Sequence, residues 1–184
     1  MDKFLIDVIV EIPKHSKIKY EYDRQTGQIR VDRILFGSES YPQNYGFIKN
    51  TLDWDGDELD CFIFADQPFL PATVVPTRIV GALEMIDDGE IDTKLLGVID
   101  CDPRYKEINQ ISDLPKHRIE EILIFLKTYK LLQKKTVIIK GLKDVCWAKK
   151  EYEICLQLMK DYGHLSKDQF IQKMQILHPE HYQK

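Results

Sequence analysis

From Phe4 to Ile12 nearly every residue suits a strand, with Ile6, Val8, Val10 and Ile12 on one face and Leu5, Asp7, Ile9 and Glu11 on the other. Glu11 thus shares a face with apolar neighbours. On this pattern alone it reads as a strand-end carboxylate turning to water before Pro13. Ile18 to Tyr22 alternates again, which puts Lys19 and Glu21 together on one side. Asp23 to Gly27 reads as a hairpin loop, and the returning strand sets Ile29, Val31 and Arg33 on one apolar face interrupted by a guanidinium. A buried arginine needs an anion, and Lys19 and Glu21 across the hairpin point to a polar pocket. Leu59 to Phe64 is a continuous apolar run that reads as a buried strand. Pro68, Pro71 and Pro76 mark an extended loop, after which Ile79–Ile86 and Ile91–Ile99 read as strands around the turn Asp87-Asp88-Gly89-Glu90.

The period then changes. Ile119, Ile122, Leu123, Leu126 and Tyr129 recur at helical spacing after a start at Asp113-Leu114-Pro115. A short strand near Val137–Ile139 precedes a second helix, with Val145, Ala148, Tyr152, Cys155 and Met159 as its apolar stripe. Gly163 stops it. Ser166 with Gln169 has the form of a capping box opening a last helix to about Leu177, which buries Phe170, Ile171 and Met174.

With 184 residues, 43% of them hydrophobic, the chain is long enough for one core, and no linker, repeat or low-complexity segment divides it. The expectation is one domain over residues 1–184, with 160–184 a helical extension. A net charge of −4 argues against a nucleic-acid surface. No secretory or membrane-length apolar segment is seen, so the reading is cytoplasmic, with no membrane partner. Cys61, Cys101, Cys146 and Cys155 lack C-x-x-C spacing and lie beside apolar residues, which reads as buried free thiols. The histidines at 15, 117, 164, 178 and 181 read as surface or packing residues.

The chemistry is carried by T-L-D-W-D-G-D-E-L-D from Thr51, where Asp53, Asp55, Asp57 and Asp60 crowd one turn. Carboxylates a few ångströms apart repel by roughly 1 kcal/mol per pair even at the dielectric of water, so such a cluster favours a hard cation. A calcium-binding EF-hand loop fails, because Glu58 stands at the turn-glycine position and Phe64 at the bidentate-glutamate position. A solvated acidic turn remains open on these residues alone. Asp87 and Asp92 form a second acidic group at a strand end. Tyr41 and Tyr45 lie near the first group in sequence and are candidates for packing or for phosphate contact. No phosphate-binding glycine loop, dinucleotide fingerprint or serine-nucleophile elbow occurs.

Taken together, V-E-I-P at Glu11, I-K-Y-E at Lys19 and Glu21, V-D-R at Arg33, Y-P at Tyr41, N-Y-G at Tyr45, D-G-D-E-L-D from Asp55, D-D-G-E-I-D-T-K from Asp87 to Lys94, and T-Y-K with Tyr129 and Lys130 closely resemble the soluble family I inorganic pyrophosphatases. The match runs from about Val8 through Lys130. It departs at Glu58, where proline is common, and weakens beyond Lys130. The resemblance implies an α+β, mainly β fold: an OB-like five-stranded β-barrel with flanking helices and a C-terminal helical extension. It implies magnesium-dependent hydrolysis of pyrophosphate to two phosphates, with several Mg2+ ions per active site. Asp55, Asp60, Asp87 and Asp92 would hold them, with Glu11 on a further ion. Asp57 would be the general base. Lys19, Arg33, Tyr45, Tyr129 and Lys130 would meet the phosphates, supported by Glu21, Tyr41 and Lys94. A homo-oligomer is implied, a hexamer being favoured by the bacterial members, and no catalytic residue is expected in the extension. Two other readings stand beside this one. A metal-dependent phosphohydrolase would act on other phosphate compounds, and an OB-type nucleic-acid binder would stack bases on its aromatics against the repulsion of the acidic cluster.

Overall fold

The structure is a computed structural model that describes residues 3–23 and 26–182. Its strands are β1 (Leu5–Ile12), β2 (Ile18–Asp23), β3 (Gln28–Ile34), β4 (Asn44–Phe47), β5 (Asp60–Phe64), β6 (Val74–Asp87), β7 (Glu90–Ile91), β8 (Lys94–Ile99) and β9 (Val137–Lys143). The helices are α1 (Lys116–Thr128), α2 (Val145–Tyr162) and α3 (Lys167–Leu177). Hydrogen bonds run from β1 to β4, β5, β8, β6 and back to β1, so five strands close a ring, as expected of an OB-like barrel. Within the ring only the β5–β8 pairing is parallel. The long β6 continues past the ring to pair with β9 and β7, while β2 and β3 form a separate hairpin.

Strand alternation sorts the apolar side chains into two cores. Phe62, Phe64, Leu96 and Val98 join a cluster with Ile119, Ile122, Phe125 and Leu126 of α1. Cys61, Ile63 and Leu95 point the other way and meet Ala148 and Cys155 of α2. Both faces of β5 are therefore covered, which is what its unbroken apolar run requires. A third cluster joins Leu52 and Trp54 to Leu158 of α2 and to Phe170 and Met174 of α3.

Glu11 departs from the sequence reading. The β1–β4 register pairs Val10 with Gly46 but Ile12 with Tyr45, so Glu11 is the extra residue of a bulge. The slip moves Ile12 into the α1 core while Val10 stays in the α2 core. Glu11 is buried rather than frayed, and its Oε1 accepts the backbone N–H of Tyr22 at 2.7 Å. Gly46 makes the approach of β4 possible, since a Cβ there would stand 2.1 Å from the carbonyl oxygen of Ile9.

Other expectations are corrected. Pro76 lies inside β6, not in a loop; it faces Asp7 of β1, and the carbonyl that a proline retains accepts from Asp100. Ile91–Ile99 is divided at Asp92 and Thr93, with β7 before them and β8 after, although both pieces pair with β6 in one register and the Asp92 backbone N–H still donates to the Met85 carbonyl. Val31 is exposed, as is Ile34, so the β3 face is not an apolar interior face. Cys101 and Cys146 are exposed, while Cys61 and Cys155 are buried. The expected hairpin loop from Asp23 to Gly27 includes residues 24 and 25, which lie outside the described residues. Among the described residues no helix is long and apolar enough to cross a membrane.

Candidate active site

The two acidic groups, far apart in sequence, meet at one end of the ring. Asp57 and its neighbours sit on the turn entering β5. Asp53 closes that turn: its backbone N–H donates to the Asp57 carbonyl at 2.7 Å, and its carbonyl accepts from Gly56, whose φ of +83° suits a residue without a Cβ. The Asp53 side chain is buried and accepts the backbone N–H groups of Trp54 at 2.8 Å and of Thr93 at 3.1 Å. That second bond ties the Asp55 turn to the Asp92 segment. Asp53, first grouped with the crowded acids, thus acts as a structural tie.

Above it lies a cleft of about 330 Å3 lined by Glu11, Lys19, Glu21, Tyr41, Tyr45, Asp55, Asp57, Asp60, Asp87, Asp92, Lys94, Tyr129 and Lys130. Arg33 is outside this lining. It stands opposite Lys19 across the hairpin, pairs with Asp32, and leaves a buried Nε without a hydrogen-bond partner. Lys19 pairs with Glu21, and burial followed by the charge of Arg33 lowers its pKa.

Cations and phenols are interleaved with the acids. Lys94 bridges Asp60 and Asp92, and the Tyr45 hydroxyl donates to Asp60. Burial opposes the charge on Lys94, but those two carboxylates outweigh it and hold the lysine protonated. Lys130, just beyond α1, pairs with Asp87. Burial pushes the phenols of Tyr41, Tyr45 and Tyr129 above their ordinary range, so they remain hydrogen-bond donors at neutral pH.

Carboxylates outnumber lysines two to one along the cleft wall. The strain is visible. Burial, then the charges of Asp92 and Asp57, hold the Asp55 carboxyl well above the usual range. Burial also lifts Asp92 against the pull of Lys94, and burial with the charge of Asp60 pushes Glu11 to about 8. Asp87 Oδ1 is buried with no hydrogen-bond partner. Oxygen donors, excess negative charge and an orphaned carboxylate oxygen are what a hard divalent cation satisfies.

The family pattern described as "Inorganic pyrophosphatase" matches residues 8–160. The chain belongs to the inorganic pyrophosphatase family. It is 82% identical to the inorganic pyrophosphatase of Mycoplasma pneumoniae over the full length of both chains. It is 64% identical to that of Malacoplasma penetrans over 96% of this chain and 98% of the relative. The crystal structure of inorganic pyrophosphatase from Thermus thermophilus superposes with a TM-score of 0.81 at 40% identity, covering 85% of this chain and 91% of the other. Membership in the pyrophosphatase family makes the chain a hydrolase.

Sequence reasoning missed two residues of the site. Lys167, from α3 beyond the end of the family pattern, lines the cleft and pairs with Asp57. Lys135 also lines it. His178 and His181, read from the sequence as surface or packing residues, do pack, with His181 stacked on Trp54 at 3.8 Å between ring centroids. No local signal in the sequence links any of these to Asp55 or Asp57.

Proposed function

We propose that the chain hydrolyses inorganic pyrophosphate to two phosphates in this cleft, using magnesium. The observation that carries the reading is the meeting of the Asp55 turn and the Asp87–Asp92 segment opposite lysines and un-ionised phenols, in a chain of the pyrophosphatase family. Asp55, Asp60, Asp87, Asp92 and Glu11 would hold the magnesium ions. Bound magnesium supplies Lewis-acid polarisation of phosphoryl oxygens and lowers the pKa of water.

Pyrophosphate has no base or sugar to grip, so it must be held by cations and hydroxyl donors on its oxygens. Lys19, Arg33, Tyr45, Tyr129 and Lys130 take that part, with Glu21, Tyr41 and Lys94 supporting them. Asp57 accepts a proton from the attacking water as the water oxygen bonds to one phosphorus. The bond from that phosphorus to the bridging oxygen breaks, and its electron pair leaves with the second phosphate. The cationic side chains stabilise the charge arriving on the leaving group, so positioning and electrostatics carry most of the barrier reduction.

The test is phosphate release from magnesium pyrophosphate by the wild type and by Asp57→Asn. Turnover should fall by about 10²–10⁴-fold, the usual size of general-base help, and equal rates would remove Asp57 from this role. Faster release from nucleoside triphosphates than from pyrophosphate would defeat the substrate assignment.

The same reading takes the chain as one domain with residues 160–184 as its extension, working in the cytoplasm on pyrophosphate released by nucleotide-consuming syntheses. We further propose a homo-oligomer, a hexamer by analogy with bacterial members. Exposed Val31, Ile34 and Phe36 on and after the hairpin support a subunit contact, and a monomeric mass in solution would overturn it.

A further inference from the structure

Lys167 opens α3. The cap before it is complete: the Ser166 hydroxyl accepts the Gln169 backbone N–H, and the Gln169 side chain accepts that of Ser166. Two turns of the helix are then fixed to the body of the protein by Phe170 and Met174, both buried against Leu52 and Trp54. The stem of Lys167 passes over Gly56, where a Cβ would stand 2.9 Å from Lys167 Cγ. Gly56 therefore serves the turn and also the passage of the lysine. At the end of that passage the ammonium pairs with Asp57 inside the cleft.

An ion pair between two half-exposed side chains adds little to the stability of a fold. Phe170 and Met174 already hold the helix, so the lysine is not needed as an anchor. What the pair does fix is the direction of a carboxylate that sits on a turn and is half open to solvent. The backbone N–H of Asp57 is engaged by Asp55 Oδ1 at 3.0 Å, which orders the main chain but leaves the carboxylate to be set by a partner.

We propose that Lys167 is a positioning residue for hydrolysis: the C-terminal helix delivers its ammonium across Gly56 to orient the carboxylate of Asp57. The inference rests on the assignment of Asp57 as the proton acceptor. It gives the segment beyond residue 160 a part in the reaction although that segment lies outside the family pattern.

The test is steady-state phosphate release from magnesium pyrophosphate by wild type, Lys167→Met, Lys167→Arg, Asp57→Asn and the Lys167→Met, Asp57→Asn double variant, with melting temperatures for each. Lys167→Met should lower kcat by about five- to fifty-fold, as expected for a misplaced reacting group, with KM within about twofold and an unchanged melting temperature. Lys167→Arg should restore most of the rate. In the Asp57→Asn background the lysine substitution should cause no further loss, because its effect passes through that carboxylate. Wild-type kcat in Lys167→Met, an equal loss in both backgrounds, or a raised KM with kcat intact would each overturn the inference. Failure of the functional reading itself is seen separately, as a wild type that releases no phosphate.

Discussion

Asp53 and Glu151 are carboxyl groups buried away from the cleft. Glu151 lies on α2, its carboxylate accepts from the indole N–H of Trp54 at 3.2 Å, and Asp53 stands close by with the thiol of Cys155. Burial raises the Glu151 pKa above the ordinary glutamate range, only partly offset by the Trp54 hydrogen bond. As pH rises past the ordinary glutamate range, the folded protein holds this proton longer than the unfolded chain does. The contribution of this group to stability is therefore greatest below the ordinary glutamate pKa. It declines as pH rises from there through the folded-state value. Glu151→Gln retains an oxygen for the indole and has nothing to titrate. Between about pH 5 and pH 8 its melting temperature should fall less than that of wild type, and parallel curves would show that the burial of Glu151 has no such effect. At this scale it is the family resemblance that names the acids, the tyrosines and Lys94 together, and they line one cleft. The sequence could not tell the structural Asp53 from its neighbours Asp55 and Asp57, because only burial and the bond to Thr93 distinguish them.

The C-terminal helix is the element that most changes the picture. Its start, its end and its buried residues Phe170 and Met174 follow from a capping box and a helical repeat, both local and therefore legible. Its docking place was not legible. Lys167 and Asp57 are 110 residues apart in sequence, and their contact depends on which face of the body the helix covers. Phe170→Ala should destabilise the protein by about 3–5 kcal/mol through lost burial and the cavity left behind, measured by denaturant unfolding. A loss below about 1 kcal/mol would mean that α3 is held by something other than this aromatic anchor. The segment from Ile91 to Ile99 teaches the same lesson. Its apolar periodicity is that of one strand, and β7 and β8 do keep one register along β6, but Asp92 and Thr93 between them leave strand geometry where Thr93 donates its backbone N–H to Asp53.

For the molecule as a whole, alternation marks individual strands and the family resemblance implies the ring, while the bulge at Glu11 depends on the partner strand β4. The concentration of like charge at one end of the ring has a global effect. A cation that binds the folded cleft and not the unfolded chain stabilises by mass action, about 2.7 kcal/mol at a concentration one hundred times its Kd. Magnesium should therefore raise the melting temperature, and a chelator should reverse the gain. Asp92→Asn should blunt the response, and an equal gain in that variant would take Asp92 out of the ion site. The ring carries one more consequence. β5 must find β8, and Thr93 must reach Asp53, before the acids at Asp55 and at Asp92 become neighbours. A nascent chain emerging from the ribosome therefore cannot bring these two groups of acids together until at least roughly its first hundred residues are free, a non-local pairing of the kind that slows folding.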